Sequence, residues 1–145
     1  MIAVDTNLLV YAHRVESEHH EKAKLLVNEL RNDNTAWAIP WPCIHEFIGV
    51  ITNPRIFKNP TPIETAFTAV DTLGMAGNLY LLSEASSHLK NLYELSIRAK
   101  LSGPRIHDAR IAALCLSHGV QVLWSADRDF SLFPGLKTHN PLLKT

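Results

Sequence analysis

The chemistry available to this sequence is concentrated in four acidic side chains, Asp5, Glu46, Asp108 and Asp127. Asp5 comes directly after the apolar run Ile2-Ala3-Val4, Glu46 lies within two turns of the run Trp37-Ala38-Ile39, and Asp127 follows the apolar segment 120–124. Asp108 stands just after Gly103-Pro104, at the start of a long apolar stretch. Carboxylates gathered in one place repel, raise one another's pKa and destabilise the fold unless a cation neutralises them. Ligation by oxygen alone favours hard ions, magnesium or manganese, over zinc. Such an ion polarises a phosphodiester, lowers the pKa of a bound water and stabilises the leaving oxygen. These residues therefore point to metal-assisted hydrolysis of a nucleic-acid backbone. Thr6, Asn7 and Ser125 adjoin the acids and are suited to orient them through hydrogen bonds. Asp129 competes with Asp127 for the fourth position.

Every one of these acids also has an ordinary role open to it. Asp5 and Asp108 suit helix N-caps. Glu46 lies off the apolar stripe of its helix, as a solvated glutamate would. Asp127 and Asp129 flank Arg128 as they would in a simple turn. Only their joint placement favours catalysis, and that placement depends on the elements that carry them.

Those elements alternate. Ile2-Ala3-Val4 reads as a short buried strand, and Asp5-Thr6-Asn7 supplies polar caps to the helix that follows. Across residues 17–31, Ala23, Leu26, Val27 and Leu30 recur at helical spacing on an amphipathic helix. Trp37-Ala38-Ile39 predicts a second strand, and Pro40 and Pro42 lead into a helix with Ile44, Phe47, Ile48 and Ile51 on one stripe. Asn53-Pro54 opens an irregular connection to Pro62, after which a helix reaches about Leu73. A strand at 79–82, a helix at 83–101, a buried helix at 107–118 and a strand at 120–124 complete the chain. Alternation of this kind predicts an α/β fold, a central parallel sheet flanked by helices, in one domain over residues 1–145. Ligands in such folds gather outside the carboxyl ends of the strands, where Asp5, Glu46 and Asp127 are expected.

Composition excludes several classes. The longest apolar run, Ile111 to Leu116, is far short of the roughly 20 residues of a membrane-spanning helix. Met1-Ile2-Ala3-Val4 meets Asp5 without the basic and apolar regions of a secretory signal, so a cytoplasmic protein is expected. Fourteen basic and fourteen acidic side chains cancel, and any electrostatic attraction for nucleic acid must be local. Cys43 and Cys115 fit reduced, buried thiols and are assigned no chemistry.

The opening Ile2-Ala3-Val4-Asp5-Thr6-Asn7-Leu8-Leu9 resembles that of PIN-domain proteins. So does the ending: His107-Asp108-Ala109-Arg110-Ile111-Ala112-Ala113, then Leu123-Trp124-Ser125-Ala126-Asp127-Arg128-Asp129-Phe130 and Phe133-Pro134-Gly135-Leu136, is similar to the C-terminal half of VapC-type toxins. The resemblance covers essentially the whole chain. It implies a PIN-like three-layer sandwich in which Asp5, Glu46, Asp108 and Asp127 match the acids of a metal-binding pocket. It also implies a magnesium- or manganese-dependent endoribonuclease that acts as the toxin of a toxin–antitoxin pair. Such a protein would work as a homodimer and be restrained by a small VapB-like antitoxin. Asp127 is preferred to Asp129 because it follows Ser125 at the family's spacing.

Arg14, Arg55, Lys58, Arg105, Arg110 and Arg128 are candidates for phosphate contacts. For Trp41 a partly buried place closing the core is preferred over stacking on an unpaired base, and for its neighbour His45 a structural role is preferred over assisting proton transfer. Other readings compete with the nuclease. A catalytically silent module would hold RNA or a protein with the same fold. An HD-type phosphohydrolase would use His107-Asp108 on an all-helical scaffold, which the predicted strands oppose. A receiver-like domain would use Asp5 but leave Asp108 and Asp127 without a role.

Overall fold

Ile2–Val4 forms β1, with Ala3 and Val4 fully buried, and the chain turns at Asp5 into α1, Thr6–His13. In the computed structural model, which describes residues 1–143, this strand is the centre of a five-stranded sheet. Helix α2 spans His20–Asn32, and β2, Trp37–Pro40, is buried along its whole length. Helices α3, Trp41–Ile51, and α4, Ile63–Leu73, lead to β3, Leu79–Leu82. Helix α5, His88–Arg98, and a 3-10 turn at Gly103–Arg105 precede α6, Ile106–Ser117. Strand β4, Val122–Trp124, a second 3-10 turn at Arg128–Leu132 and β5, Thr138–His139, finish the fold.

All the pairings are parallel and the strand order is β3-β2-β1-β4-β5. Parallel neighbours require long crossovers, and here the helices supply them. Both faces of the sheet are thereby covered, which is why β2 reads as an unbroken apolar run. From β1 the chain builds outward to β2 and β3, then returns past β1 to place β4 on its other side. Strand order thus reverses at β1, the position where open α/β sheets leave a crevice beyond the carboxyl ends of their strands. Trp37, Ile39, Ile44, Phe47, Phe130 and Phe133 fill the core. The sheet excludes the all-helical HD scaffold.

Strand β4 begins at Val122 rather than Val120, and three further elements differ from expectation. Helix α2 begins at His20 rather than at Ser17, because Ser17 is held in a turn: its N–H donates to Arg14 O at 3.1 Å and its hydroxyl accepts from His19 N at 3.3 Å. Helix α5 is shorter than the stretch 83–101. Glu84 is drawn to Arg110 at 2.7 Å and the Ser83 carbonyl to His118 Nε2 at 2.8 Å, so the segment before His88 is tied to α6 and its far end. Strand β5 is not visible in the sequence at all. Its two residues are exposed and carry no apolar run, and they join the sheet through backbone bonds such as Ser125 N to His139 O at 3.0 Å.

Candidate active site

Strand register brings the first two site residues together. β1 pairs with β4 so that Val4 stands opposite Trp124, and Asp5 N donates to Trp124 O at 2.9 Å. Asp5 and Ser125, the next residue on each strand, therefore lie side by side, and Ser125 Oγ donates to Asp5 Oδ2 at 2.7 Å. Asp5 is also the N-cap of α1: its Oδ1 accepts from Thr6 N at 2.8 Å. Asn7 links the same strands, its Nδ2 standing 3.4 Å from both Asp5 Oδ2 and Ser125 Oγ while its Oδ1 accepts from Ala126 N at 3.1 Å.

The other acids arrive from helix starts and a turn. Glu46 projects from the second turn of α3, Asp108 from the first turn of α6, and Asp127 caps the 3-10 turn after β4. Asp5, Glu46, Asp108 and Asp127 line one cavity of about 240 Å³, together with Thr6, Asn7, Tyr11 and the apolar side chains Val10, Val50, Ile111 and Phe130. Asp129 does not line it. Its N–H donates to Asp127 Oδ1 at 2.8 Å, and its carboxylate lies 3.8 Å from Arg105. Among the described residues no Lys, Arg or His lines this cavity.

Electrostatics reflect that imbalance. Burial, with a smaller push from Asp127, raises the pKa of Asp5 despite its hydrogen bonds to Ser125, Thr6 and Cys43. Glu46 is raised by burial and then by Asp5, with Asp108 and Asp127 adding to it, and Asp108 is raised by burial and then by Asp127, Asp129 and Asp5. The acids are close enough to feel one another. They are not drawn into a finished cage: among the described residues no three His, Cys, Asp or Glu side chains stand close enough to hold an ion between them. A hard divalent ion fits such a set. Magnesium keeps several waters and binds through one or two carboxylates, and the donors here are all oxygen.

Two further groups belong to the site. Cys43, to which the sequence reading assigned no chemistry, is fully buried and its Sγ lies 3.4 Å from Asp5 Oδ1. Burial, and then Asp5, push its pKa well above the ordinary value, so it remains a thiol and a donor. Its place in the first turn after β2, one turn before Glu46, was the available signal. Tyr11 lines the cavity from α1 and carried no signal beyond its helical spacing from Asn7.

The candidate phosphate contacts divide. Arg14 is committed to the loop after α3: it donates to Asn59 O at 2.8 Å and Thr61 Oγ1 at 3.1 Å, and its guanidinium lies 4.2 Å from the Phe57 ring centre. Arg110 is paired with Glu84, whereas Arg55, Lys58 and Arg128 are exposed. Trp41 is 37% exposed, with its ring 5.9 Å from that of His45.

The PIN-domain profile matches residues 2–136. The chain belongs to the PIN-domain family. Its sequence is 36% identical over 142 residues to the VapC ribonuclease Mb2897 of Mycobacterium bovis, covering 98% of this chain and 96% of that protein. In fold it is similar to Mycobacterium tuberculosis VapC20, described as a Sarcin-Ricin loop cleaving toxin. The TM-score is 0.67 at 18% identity, over 90% of this chain and 93% of that one. It is also similar to a chain of VapBC2 from Rickettsia felis bound to a DNA fragment from their promoter, with a TM-score of 0.65 at 19% identity, over 96% of this chain and 98% of that one. In this PIN domain the acids thus line a cavity at the sheet edge where the strand order reverses.

Because the folded protein binds a proton at Asp5 more tightly than the unfolded chain, the ionised carboxylate costs stability above the raised pKa. The cost disappears as pH falls through that value towards the ordinary one. Asp5→Asn is therefore expected to raise the Tm of metal-free protein at pH 7.5 by about 3 °C, the shift that about 1 kcal/mol produces in a domain of this size. The gap from wild type should narrow towards pH 4. A lower Tm for the variant at pH 7.5 would show that the carboxylate's hydrogen bonds outweigh its burial and repulsion.

Proposed function

We propose that this protein is the toxin ribonuclease of a toxin–antitoxin pair, a single domain over residues 1–145 that hydrolyses RNA phosphodiester bonds with magnesium or manganese. One observation carries the reading: the carboxylates of Asp5, Glu46, Asp108 and Asp127 line one cavity whose described walls hold no basic side chain. The relationship to VapC ribonucleases supplies the reaction class, and an RNA substrate is consistent with the proposed cytoplasmic location. Among the described residues no helix is long and apolar enough to cross a membrane.

A bound magnesium or manganese ion supplies a Lewis acid and a water of lowered pKa. The chain's part is to hold and orient it. Asp5, fixed on β1 and hydrogen-bonded on both oxygens, gives the rigid donor, and Asp108 and Asp127 approach from the other side of the crevice. Glu46, on an exposed helix turn, faces the side open to substrate. Val10, Val50, Ile111 and Phe130 form apolar walls that limit the water around the acids. Ser125 and Asn7 hold the Asp5 carboxylate through Oδ2, and its Oδ1 accepts from the Thr6 backbone N–H. A small VapB-like antitoxin is the proposed restraining partner, by the family resemblance and by the likeness to a chain of VapBC2.

A second copy of the chain is the other proposed partner. On α5, Leu89, Tyr93 and Ile97 recur at helical spacing and are 79%, 65% and 60% exposed, while Leu92 and Leu95 pack inward. Two such helices placed antiparallel about Tyr93 set Leu89 of one copy beside Ile97 of the other. Lys90 and Glu94 lie on the same flank of the stripe, so this pairing brings each lysine near the other copy's glutamate. The surface is self-complementary, as a two-fold interface requires.

Purified, antitoxin-free protein is expected to cut a mixed RNA pool with magnesium or manganese, and cutting should fall by at least about a hundredfold with EDTA or in Asp5→Asn. Cleavage that persists in either control would remove the metal-nuclease reading. Expression without an antitoxin should arrest bacterial growth and Asp108→Asn should relieve the arrest; equal growth with both would remove the toxin role. Tyr93→Lys should convert a dimer to a monomer in sedimentation velocity while leaving the circular dichroism spectrum unchanged, and a variant that stays dimeric would exclude this face.

A further inference from the structure

Asp5 is saturated with donors. Its Oδ1 faces Thr6 N at 2.8 Å and Cys43 Sγ at 3.4 Å, and its Oδ2 faces Ser125 Oγ at 2.7 Å and Asn7 Nδ2 at 3.4 Å. Two donors on each oxygen match the lone-pair sites of a carboxylate. A cation that reaches Asp5 must therefore displace one of them. Thr6 N is fixed in the backbone of α1, and the Ser125 bond is short. Of the two long contacts, Asn7 lines the cavity and Cys43 does not. The Asn7 amide, shared with Ser125 Oγ at the same 3.4 Å, is thus the donor on the cation's side, and the thiol lies behind the carboxylate.

We infer that Cys43 is a positioning residue for the cation site, its thiol anchoring Asp5 Oδ1 so that Oδ2 turns to the cavity when Asn7 gives way. The inference rests on Asp5 being a cation ligand. A carboxylate's terminal torsion has a broad, weakly defined preference, so a group attached at one oxygen by a single backbone N–H swings more freely than one held by two donors. Cys43 also fixes a second acid. Thr6 Oγ1 donates to the Cys43 carbonyl at 3.4 Å, which stitches the start of α1 to the start of α3. Glu46 is three residues further along α3, on the same side of the helix as Cys43. The distance between Asp5 and Glu46 is thus set partly at this buried contact.

The test uses the full chain and Mn²⁺ alone, with binding measured by calorimetry and the fold checked by metal-free Tm. Cys43→Ala should weaken Mn²⁺ binding by about tenfold, the lower end of what losing an outer-shell partner costs. Cys43→Val, which fills the space without a donor, should give a similar loss. Cys43→Ser keeps a donor and should bind Mn²⁺ close to the wild-type affinity. A purely structural thiol gives another pattern: alanine and valine lower Tm without changing Mn²⁺ affinity, and serine, which buries a hydroxyl, is no better than either. Mn²⁺ binding that Asp5→Asn abolishes but Cys43→Val leaves intact would overturn the positioning role alone. Wild-type protein that binds no Mn²⁺ would overturn the cation site and the inference together.

Discussion

Asp5 is only 5% exposed, so its carboxylate has little water to support its charge and takes that support from neighbours on three different elements. Ser125 arrives because β1 and β4 pair in a fixed register, Thr6 because α1 begins at once, and Cys43 because α3 starts where β2 ends. Slipping the β1–β4 pairing by one residue would take Ser125 away and turn Asp5 to the other face. The buried strands prevent that slip, since Ala3, Val4 and Leu123 are each fully enclosed. Apolar packing away from the chemistry therefore determines where this one charge sits, and the remaining acids are placed relative to it.

The reversal of strand order at β1 explains why residues so far apart in sequence share one cavity. Strands on one side of β1 are reached through α1–α4 and those on the other through α5 and α6, so the helix starts at Glu46 and Asp108 approach the same crevice from opposite directions. The cost is electrostatic. Glu46 and Asp108 are raised by burial first and by the neighbouring acids second; no cation among the described residues lines the walls, and Arg105, outside them, offsets only part of the rise at Asp108. A fold that only needed helix caps would have no reason to direct four such groups into one cavity. Asp5 shows that the two roles are compatible, because the atom that caps α1 belongs to the same carboxylate that lines the crevice.

Much of this was legible beforehand, for identifiable reasons. Strand β3 matches the expected 79–82 because it is an apolar run bounded by turn residues. β1 and β2 were visible for the same reason. β5 was not, because a two-residue polar strand on the sheet edge has no pattern to display. The overlong α5 reflects a signal that local spacing cannot contain, the tethering of Ser83 and Glu84 to α6 and its far end across some thirty residues. Among candidate site residues the acids stood out because Asp5, Glu46 and Asp127 each come shortly after a predicted strand and Asp108 opens a buried helix. Cys43 did not, since a buried thiol is ordinary in any core; only the strand register reveals that its neighbour is a carboxylate.

Net charge was the least informative quantity, and its failure has a physical origin. Equal numbers of acids and bases give a total of zero, yet the two signs are not mixed evenly. Arg14 and Arg110 are bound to Glu16 and Glu84 away from the acidic cavity, and Arg105 stands near Asp129 outside its walls. The crevice is thus negative within a neutral molecule. A phosphodiester approaching it meets repulsion from the same carboxylates proposed to activate its cleavage. On the proposed reading, a divalent ion changes the sign of that encounter as well as supplying the chemistry, and exposed Arg128, next in sequence to Asp127, is a candidate to steady a phosphate. Substrate binding and metal binding are then coupled through charge.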